Sequence, residues 1–357
     1  MNMHGTNVPV NTYTDYYKGQ VVRPNTSSAR KIAVWGVGAH AIKSVLPAIA
    51  DSVDLELVGI HTRNPKVLSE HSKSYGCLAW ADPAEMLADT SVDVIYLATP
   101  TALHYTHGFQ VLAADKDLWC EKPLTTTLID AQHLCQMAED NGRALAVVCG
   151  PRYHPQFNAL QNQMNNGAIG SVTNIFASFY FPHLRSDNFR YNPDLGGGAL
   201  LDIGFYLLSV VDALVPGALV ELKCAIETQI GYCVDTNATA TLHFDDGSVA
   251  DLLWGYGSDY QNFVSVIGDN GQLTATPFFS KPQNLPPYIH LSNQRVSEQS
   301  IGFDDKNQVS AMLDVFYNET ETMIGRKTLV AAALRSQKLL DAAIRASAQG
   351  GFVKFKG

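Results

Sequence analysis

The chain has 357 residues, of which 46% are hydrophobic and 17% charged, and its formal net charge is −9. A chain of this length suggests about two domains, and an acidic balance without Lys/Arg clusters argues against nucleic acid as a partner. No uninterrupted apolar run long enough to cross a bilayer occurs, so no membrane association is predicted.

The first 29 residues are polar and carry no basic segment followed by an apolar one, so they do not resemble a secretory signal. We interpret residues 1–29 as an N-terminal arm that either docks on a neighbour through its tyrosines or stays disordered. The six cysteines form no C-x-x-C pair. They are expected to be free, buried thiols of a cytoplasmic protein.

Residues 30–150 alternate between short apolar runs and helical patterns. Asp82 followed by Pro83 predicts a helix N-terminus, and Gly76 and Gly142 predict helix ends. Continuously apolar strands separated by helices are typical of a parallel sheet covered on both faces. The strand-like runs are 31–36, 55–60, 92–99, 116–121 and 144–149. We therefore predict a doubly wound α/β Rossmann domain at 30–150.

Residues 151–357 follow a different pattern, in which long strand-like segments are joined by turns such as DDG and DNG. Helical patterns interrupt these strands at 197–215 and follow them at 308–324 and 329–348. This half is predicted to be an α+β domain with a large, mostly antiparallel open sheet that binds substrate and mediates oligomerisation.

A glycine-rich turn, G-x-G-x-x-A, follows the first strand and begins the first helix. Gly36 permits the tight turn, Gly38 lets a pyrophosphate approach the backbone, and Ala41 allows close helix–strand packing. Ala39 and His40 lie where the helix N-terminus faces the phosphates. The turn predicts dinucleotide binding.

The second strand ends without the carboxylate that an NAD site uses for the ribose diol. Thr62 and Arg63 stand there instead, and Arg63 could hold a 2′-phosphate or be a solvated side chain. We expect NADP as the cofactor, with NAD possible.

Two further loops follow strands at the same carboxyl edge, where ligands of such sheets bind. One loop contains Thr99 and Pro100, and the other contains Glu121, Lys122 and Pro123. Because Pro123 restricts the preceding residue, it limits the directions in which Lys122 can point.

Five motifs, in order along the chain, resemble those of the Gfo/Idh/MocA oxidoreductases. They are GVGAH (36–40), LATPTALH (97–104), EKP (121–123), PRYHPQF (151–157) and GGGALLDIGFY (196–206). The resemblance covers nearly the whole chain beyond the arm. It implies a Rossmann domain followed by an open antiparallel sheet.

The resemblance implies that Lys122 lies beside the nicotinamide and the reacting carbon, with Glu121 as its orienting group and His104 in the loop under the cofactor. Asp202 and Tyr206 lie four residues apart on one helix face. Many relatives carry histidine where this chain has Tyr206, so the chain resembles the branch that contains glucose–fructose oxidoreductase, dihydrodiol dehydrogenase and NADP-dependent xylose dehydrogenase.

In that branch the tyrosine is the proton donor, so Lys122, Tyr206 and Asp202 are the predicted catalytic residues. A free phenol has a pKa near ~10, so a nearby cation would be needed for it to act as a base. The structural alternatives are a surface lysine, a buried amphipathic tyrosine and a carboxylate that only stabilises its helix.

The substrate is predicted to contact Asp202 and Tyr206 together with Arg152 and His154, which begin the second domain. Arg152 could instead tie the two domains together. Weaker substrate candidates are His183, Arg185 and Asp187. His104 and His107 are spaced for one helix face but lack further ligands, so packing or capping is expected and no metal site is predicted.

The predicted function is hydride transfer between NADP(H) and a hydroxyl or carbonyl carbon of a sugar, polyol or related small compound. One alternative is a non-catalytic NADP-binding regulator. The other is a redox-neutral sugar-modifying enzyme that retains its cofactor. An open sheet face predicts a homodimer or homotetramer formed through the C-terminal sheet.

Overall fold

The structure, a computed structural model, describes residues 29–282, 285–294, 297–304 and 306–356. The predicted arm therefore lies outside the described residues except for Ala29. The first sheet has six strands in the order β3-β2-β1-β4-β5-β6, and all of its pairings are parallel. Its strands are β1 (Arg30–Trp35), β2 (Leu55–His61), β3 (Leu78–Trp80), β4 (Val94–Leu97), β5 (Asp117–Cys120) and β6 (Leu145–Val147).

Helices connect these strands as the alternating pattern predicted. The helices are α1 (Leu46–Ala50, continuing a π-helical turn, Ala41–Val45), α2 (Pro65–Tyr75), α3 (Pro83–Ala88), α4 (His104–Ala113) and α5 (Leu128–Asp140). Asp82 caps α3 with Pro83 at its first position, and Gly76 ends α2 in the left-handed conformation at φ 64°. The strand order reverses between β1 and β4, which opens a ligand crevice at their carboxyl ends.

The second half begins with two helices and forms a nine-stranded sheet with the order β14-β13-β12-β11-β7-β10-β9-β8-β15. Only the central β7–β10 pair is parallel. The elements are α6 (Gly150–Tyr153), α7 (Pro155–Asn165), β7 (Val172–Phe181), α8 (Phe205–Leu214), β8 (Leu219–Glu227), β9 (Asn237–Phe244), β10 (Val249–Tyr256), β11 (Gln261–Gly268), β12 (Gly271–Thr276), β13 (Tyr288–Asn293), β14 (Gln299–Ile301), α9 (Gln308–Thr320), α10 (Met323–Gln349) and β15 (Val353–Lys354). The predicted fold class is confirmed.

The helix expected at 197–215 is not uniform, because a π-helical turn, Leu200–Gly204, precedes α8. The wider turn places Gly204 against the Trp254 ring, where a Cβ would lie 2.7 Å from a ring carbon. Such π turns are frequent at functional sites. The sequence patterns did not predict α7, β13, β14 or β15.

The helix α9 and the start of α10 return to the first sheet. Val309, Met312 and Phe316 pack in one core with Ile32 and Val34 of β1. Residues at the C-terminal end therefore complete the core of the N-terminal half.

By length and mean hydropathy, the stretch Pro193–Leu214 could cross a membrane, although the sequence analysis found no such run. Within this fold 67% of its apolar window is buried. The stretch is a core helix of the second half, and its burial accounts for its composition.

Candidate active site

The glycine turn has the geometry that its spacing predicted. Gly36 adopts φ +102°, and a Cβ there would lie 2.5 Å from the carbonyl oxygen of Ala98. Gly38 is exposed, and a Cβ on it would meet nothing within 4 Å. Ala41 is buried against the sheet. The backbone at Gly38 is thus open to a ligand, which fits a dinucleotide pyrophosphate.

The end of β2 presents an exposed arginine beside the glycine turn. His61 is buried and its Nδ1 lies 2.9 Å from the carbonyl of Trp80, whereas Thr62 is half-buried and Arg63 is exposed. Asn64 caps α2 by accepting the backbone N–H groups of Lys66 and Val67. The cap and the buried histidine fix the backbone on both sides of Arg63.

His104 lies beneath the site rather than at its surface. Only 1% of the residue is exposed, and its Nδ1 and Nε2 lie 2.9 Å and 2.8 Å from the carbonyl oxygens of Pro123 and Thr99. Burial lowers its pKa, so the ring is neutral and donates from one nitrogen at a time. His104 thus packs in the loop, as expected, and ties together the loops that carry Thr99 and Lys122 rather than presenting its ring to a cofactor.

His107 packs nearby, as expected. Its ring stacks on Trp35 at 4.3 Å between centroids, and its Nδ1 lies 3.1 Å from Thr99 Oγ1. Among the described residues no group of three or more His, Cys, Asp or Glu side chains is placed to hold a metal ion.

Lys122 meets Asp202 across the boundary between the two halves. Its Nζ donates to Asp202 Oδ1 at 2.8 Å and to the Asp202 carbonyl oxygen at 2.5 Å. The same ammonium lies 4.7 Å from the centroid of the Tyr206 ring. The π-helical turn carries Asp202 and α8 carries Tyr206, so the three predicted catalytic residues form one cluster.

Asp202 has two further partners that the sequence analysis did not identify. Arg190 Nε donates to Asp202 Oδ2 at 2.6 Å, and the Tyr256 hydroxyl donates to the same oxygen at 3.2 Å. Burial opposes ionisation of Asp202, but the charges of Lys122 and Arg190 outweigh it and hold the pKa of this carboxyl well below its usual range. The carboxylate is therefore permanently ionised and shared between two cations.

A signal for Arg190 was present in the glycine run at 196–198. The N–H of Gly198 donates to the carbonyl of Arg190 at 2.9 Å, and a Cβ on Gly197 would lie 2.5 Å from that oxygen. Three consecutive glycines therefore allow the loop that carries Arg190 to pack against the helix that carries Asp202. Tyr256 had no comparable local signal.

Tyr206 is a neutral phenol. Burial raises its pKa well above 10, and the nearby groups Glu121, Cys149 and Asp202 raise it further. Burial outweighs the lowering effect of Arg190, so the condition under which this tyrosine would act as a base is not met. The hydroxyl instead holds its proton at neutral pH and is suited to donate it.

Glu121 links the catalytic loop to the glycine turn. Its Oε1 accepts from the Tyr96 hydroxyl at 2.7 Å and lies 3.4 Å from His40 Nε2. Burial would raise the pKa of Glu121, but His40, Tyr96 and Lys122 lower it to about 2. The same contact raises the pKa of His40. Glu121 reaches Lys122 through the backbone N–H, 3.4 Å from Oε2.

The remaining predicted substrate residues occupy other positions. His154 is only 1% exposed and caps α7 by accepting the N–H of Gln156 at 3.0 Å, so its expected exposure to the cleft is wrong. Arg152 is half-buried and lines a small space with residues of β6, α8 and α10, which favours the role of tying the two halves together. Arg185 pairs with Asp187 at 3.0 Å on the surface.

His183 belongs to an aromatic group next to Tyr256. Its ring stacks on Tyr232 at 5.3 Å between centroids, and Tyr191 packs 4.9 Å from Tyr232 and 5.5 Å from Tyr256. This group connects to the catalytic cluster through the bond from Tyr256 to Asp202.

Two family models match the chain. The model of an oxidoreductase family with an NAD-binding Rossmann fold, GFO_IDH_MocA, matches residues 30–149, and a GFO/IDH/MocA C-terminal domain model matches residues 157–274. Together these matches cover most of the chain.

Several relatives are similar over most of their length. A dTDP-3,4-didehydro-2,6-dideoxy-α-D-glucose 3-reductase from Streptomyces violaceoruber is 30% identical over 90% of this chain and 96% of its own. A D-xylose 1-dehydrogenase (NADP(+)) from Haloferax volcanii is 28% identical over 81% and 88%. The crystal structure of a 3-ketoreductase from Actinomadura kijaniata with NADP and TDP-benzene has a TM-score of 0.84, 25% identity, and coverage of 89% and 98%.

Proposed function

Because the chain belongs to the Gfo/Idh/MocA oxidoreductase family, we propose that Lys122 and Tyr206 carry out its reaction and that Asp202 positions them. The enzyme is an NADP(H)-dependent oxidoreductase that acts on a hydroxyl or carbonyl carbon of a sugar or related small compound. The observation that carries the assignment is the convergence of Lys122, Asp202 and Tyr206 beside the exposed glycine turn.

The cofactor supplies the hydride, and the chain holds the reacting oxygen and its proton. Lys122 Nζ donates a hydrogen bond to that oxygen and stabilises the negative charge that develops on it during reduction. The neutral Tyr206 hydroxyl then gives its proton to the oxygen. In the oxidative direction the steps reverse: the Tyr206 phenolate left by that donation takes the hydroxyl proton, and Lys122 stabilises the oxygen while the hydride leaves the carbon.

Asp202 positions the ammonium. It accepts from Lys122 and Arg190 with different oxygens, so one carboxylate fixes both cations in place. An ammonium held in this way needs little reorganisation when charge develops on the substrate.

The cofactor site is proposed to comprise the glycine turn (Gly36, Gly38, Ala39 and His40), the end of β2 (Thr62 and Arg63), and the loops carrying Thr99, Pro100, Glu121 and Lys122. Gly38→Ala tests this assignment, with Gly36→Ala as the contrasting variant. The Cβ at 38 meets no protein atom, so the fold should be kept while the dissociation constant of NADPH rises about tenfold.

Gly36→Ala places a Cβ 2.5 Å from a backbone oxygen in a left-handed conformation, so it should lower the melting temperature. Fluorescence titration with NADPH and NADH, followed by a sugar and aldehyde panel, measures binding and turnover separately. If the folded Gly38→Ala variant bound NADPH as tightly as the unsubstituted protein, the glycine turn would not be part of the cofactor site.

We further propose a homodimer or homotetramer formed through the second sheet. Phe176 is 38% exposed on β7, packs 5.7 Å from Phe263 on β11, and lies near Ile267, which is also 38% exposed. An apolar sheet face of this kind favours a partner. Light scattering should give a multiple of the chain mass, and Phe176→Asp should lower it. A monomeric natural protein would contradict the proposal.

We place the protein in a reducing compartment, the cytoplasm. All six cysteines are free, four of them are buried, and Cys233 is exposed, contrary to the expectation that all are buried. Fractionation of the cells that produce the protein tests this assignment.

A further inference from the structure

The aromatic group beside the catalytic cluster has a defined geometry that the hydride transfer does not use. Two connections at one end of the second sheet supply it: His183 and Tyr191 lie in the segment that follows β7, and Tyr232 lies between β8 and β9. His183 Nδ1 lies 3.2 Å from the Tyr191 hydroxyl and 3.1 Å from the Tyr232 hydroxyl. We call these three residues the aromatic platform.

The backbone holds the platform in place. The Tyr191 hydroxyl accepts the N–H of Leu184 at 3.0 Å, and Gly257 approaches His183 so closely that a Cβ would lie 2.2 Å from Nε2. All three rings nevertheless retain accessible surface: His183 is exposed and the two tyrosines are half-buried. Fixed, partly exposed rings offer contact area at a low entropic cost.

The platform adjoins the reacting centre. Tyr191 packs edge-on to Tyr256 at 5.5 Å, and Tyr256 donates to Asp202, which holds Lys122. Two residues, Tyr256 and Asp202, therefore join the platform to Lys122.

The charges near the platform indicate whether it would bind a diphosphate or an uncharged group of the substrate. Along residues 181–202 and at Glu121 and Lys122, there are three cationic side chains and four carboxylates. Each of these cations already contacts a carboxylate: Lys122 and Arg190 contact Asp202, and Arg185 contacts Asp187. A diphosphate needs cations or free N–H groups along its path, and this surface offers neither an excess of positive charge nor an uncommitted cation.

We propose that the aromatic platform binds an uncharged second ring, so that the substrate is a glycoside or disaccharide rather than a nucleotide sugar. This inference rests on the proposed function for the position of the reacting sugar. It separates this chain from the dTDP-sugar reductases that it resembles. The apolar face of a sugar or phenyl ring packs on the tyrosine faces, and the imidazole and hydroxyl groups accept or donate hydrogen bonds at the rim.

Calorimetry on the NADP-loaded enzyme tests the inference without requiring turnover. The ligands are the methyl and phenyl β-glycosides of glucose and xylose, together with dTDP. The phenyl glycoside of the better-bound sugar should bind about fivefold more tightly than its methyl glycoside, and both should bind more tightly than dTDP. Tighter binding of dTDP, or no binding of any glycoside, would overturn the inference.

Variants of Tyr232 identify the surface. Tyr232→Ala should remove the preference for phenyl over methyl glycoside, whereas Tyr232→Phe, which keeps the ring, should retain it. Phe352→Ala is the matched control, because Phe352 is a 44% exposed aromatic that stacks on His243 at the far end of β9. If Tyr232→Ala kept the preference of the unsubstituted protein for phenyl over methyl glycoside, the platform would not be part of the substrate site.

The two proposals fail in different ways. A protein that binds phenyl glycosides through Tyr232 but reduces no NADP would contradict the proposed reaction and keep the platform. Oxidation of methyl and phenyl glycosides with equal KM would keep the reaction and reject the platform.

Discussion

Buried charges lie at both ends of the parallel sheet, but their partners differ. At the amino end Arg30 of β1 pairs with Asp117 of β5 at 2.5 Å, and Lys116 donates to the carbonyls of Asp89 and Val92. At the carboxyl end Lys122 pairs with Asp202, a residue from the other half of the chain.

The amino-end charges complete the bonding of the sheet itself. Asp117 also accepts the N–H of Ala144 at 2.8 Å, so the pair joins the starts of three strands. The carboxyl-end cluster instead combines an ammonium, a phenol and an exposed glycine turn. A polar group that only stabilises a fold requires satisfied partners, whereas a reactive site also requires space for a ligand.

A cavity of about 620 Å³ opens beside Arg30, Asp93, Lys116 and Arg143. Ligands of open α/β sheets bind at the carboxyl ends of the strands, and the cations lining this cavity are paired or bound to carbonyls. The chemistry of the residues therefore outweighs the volume.

Two lysines test this contrast most strongly. Lys122→Met should lower kcat about 10³-fold, because the developing charge loses its donor. Lys116→Met should keep kcat but lower the free energy of unfolding by about 1–3 kcal/mol, since two buried carbonyls lose their donor. Steady-state kinetics and urea denaturation of both variants measure the two effects. Near-normal turnover in Lys122→Met would contradict the assignment.

The two ends of the sheet should differ in how acid affects stability, because Glu121 at the carboxyl end has a lowered pKa. A carboxyl whose folded pKa is about 2, against an ordinary 4.5, stabilises the fold above pH 4.5 and loses that contribution as the pH falls towards 2. The shift corresponds to about 3 kcal/mol. In Glu121→Gln the acid-dependent part of the unfolding free energy should shrink by that amount.

The control for acid is Glu321→Gln at the amino end, where Glu321 is 36% exposed and pairs with Arg30. Urea denaturation between pH 5 and pH 2 should show the natural acid dependence in this variant. Equal curves for the natural protein and Glu121→Gln would show that Glu121 is not ionised preferentially in the fold.

The Tyr206 hydroxyl is tested by its removal alone. Tyr206→Phe should lower kcat about 10²-fold with little change in KM, because the proton donor acts in the transition state. Tyr256→Phe removes only one of the bonds to Asp202 and should have a smaller effect. If both variants lost the same fraction of kcat, neither hydroxyl would be the proton donor, and both tyrosines would act by supporting Asp202.

The smallest expected effect concerns the choice of nucleotide. Arg63→Ala should weaken NADPH about tenfold and leave NADH nearly unchanged, because only NADPH carries the 2′-phosphate. Arg143→Ala at the amino end, which removes a pair with Asp115, is the matched control. If Arg63→Ala weakened the binding of NADPH and NADH equally, Arg63 would not contact the 2′-phosphate.

Local patterns predicted those features that depend on neighbouring residues. Apolar runs predicted the parallel strands, Asp82 and Gly76 predicted helix ends, and the glycine spacing predicted the turn at Gly36. Each of these features depends on backbone conformation or on burial within a few residues. The same patterns could not predict the short edge strands β13 to β15, which are defined by pairing with distant segments.

The proposed catalytic cluster shows the same division. Motifs made Lys122 and Tyr206 candidates, but Arg190 and Tyr256 reach Asp202 only because β7, the π-helical turn and β10 converge in space. The prediction that His154 faces the cleft was wrong, because its motif carries no information about its burial as a helix cap.

The order of residues alone was sufficient for the fold class and the glycine turn, because periodicity and glycine conformation act over short distances. The EKP motif made Lys122 a candidate. Tertiary structure decided the charge state of the site. Whether Asp202 is ionised, and whether Tyr206 keeps its proton, depends on burial and on charges brought from remote segments.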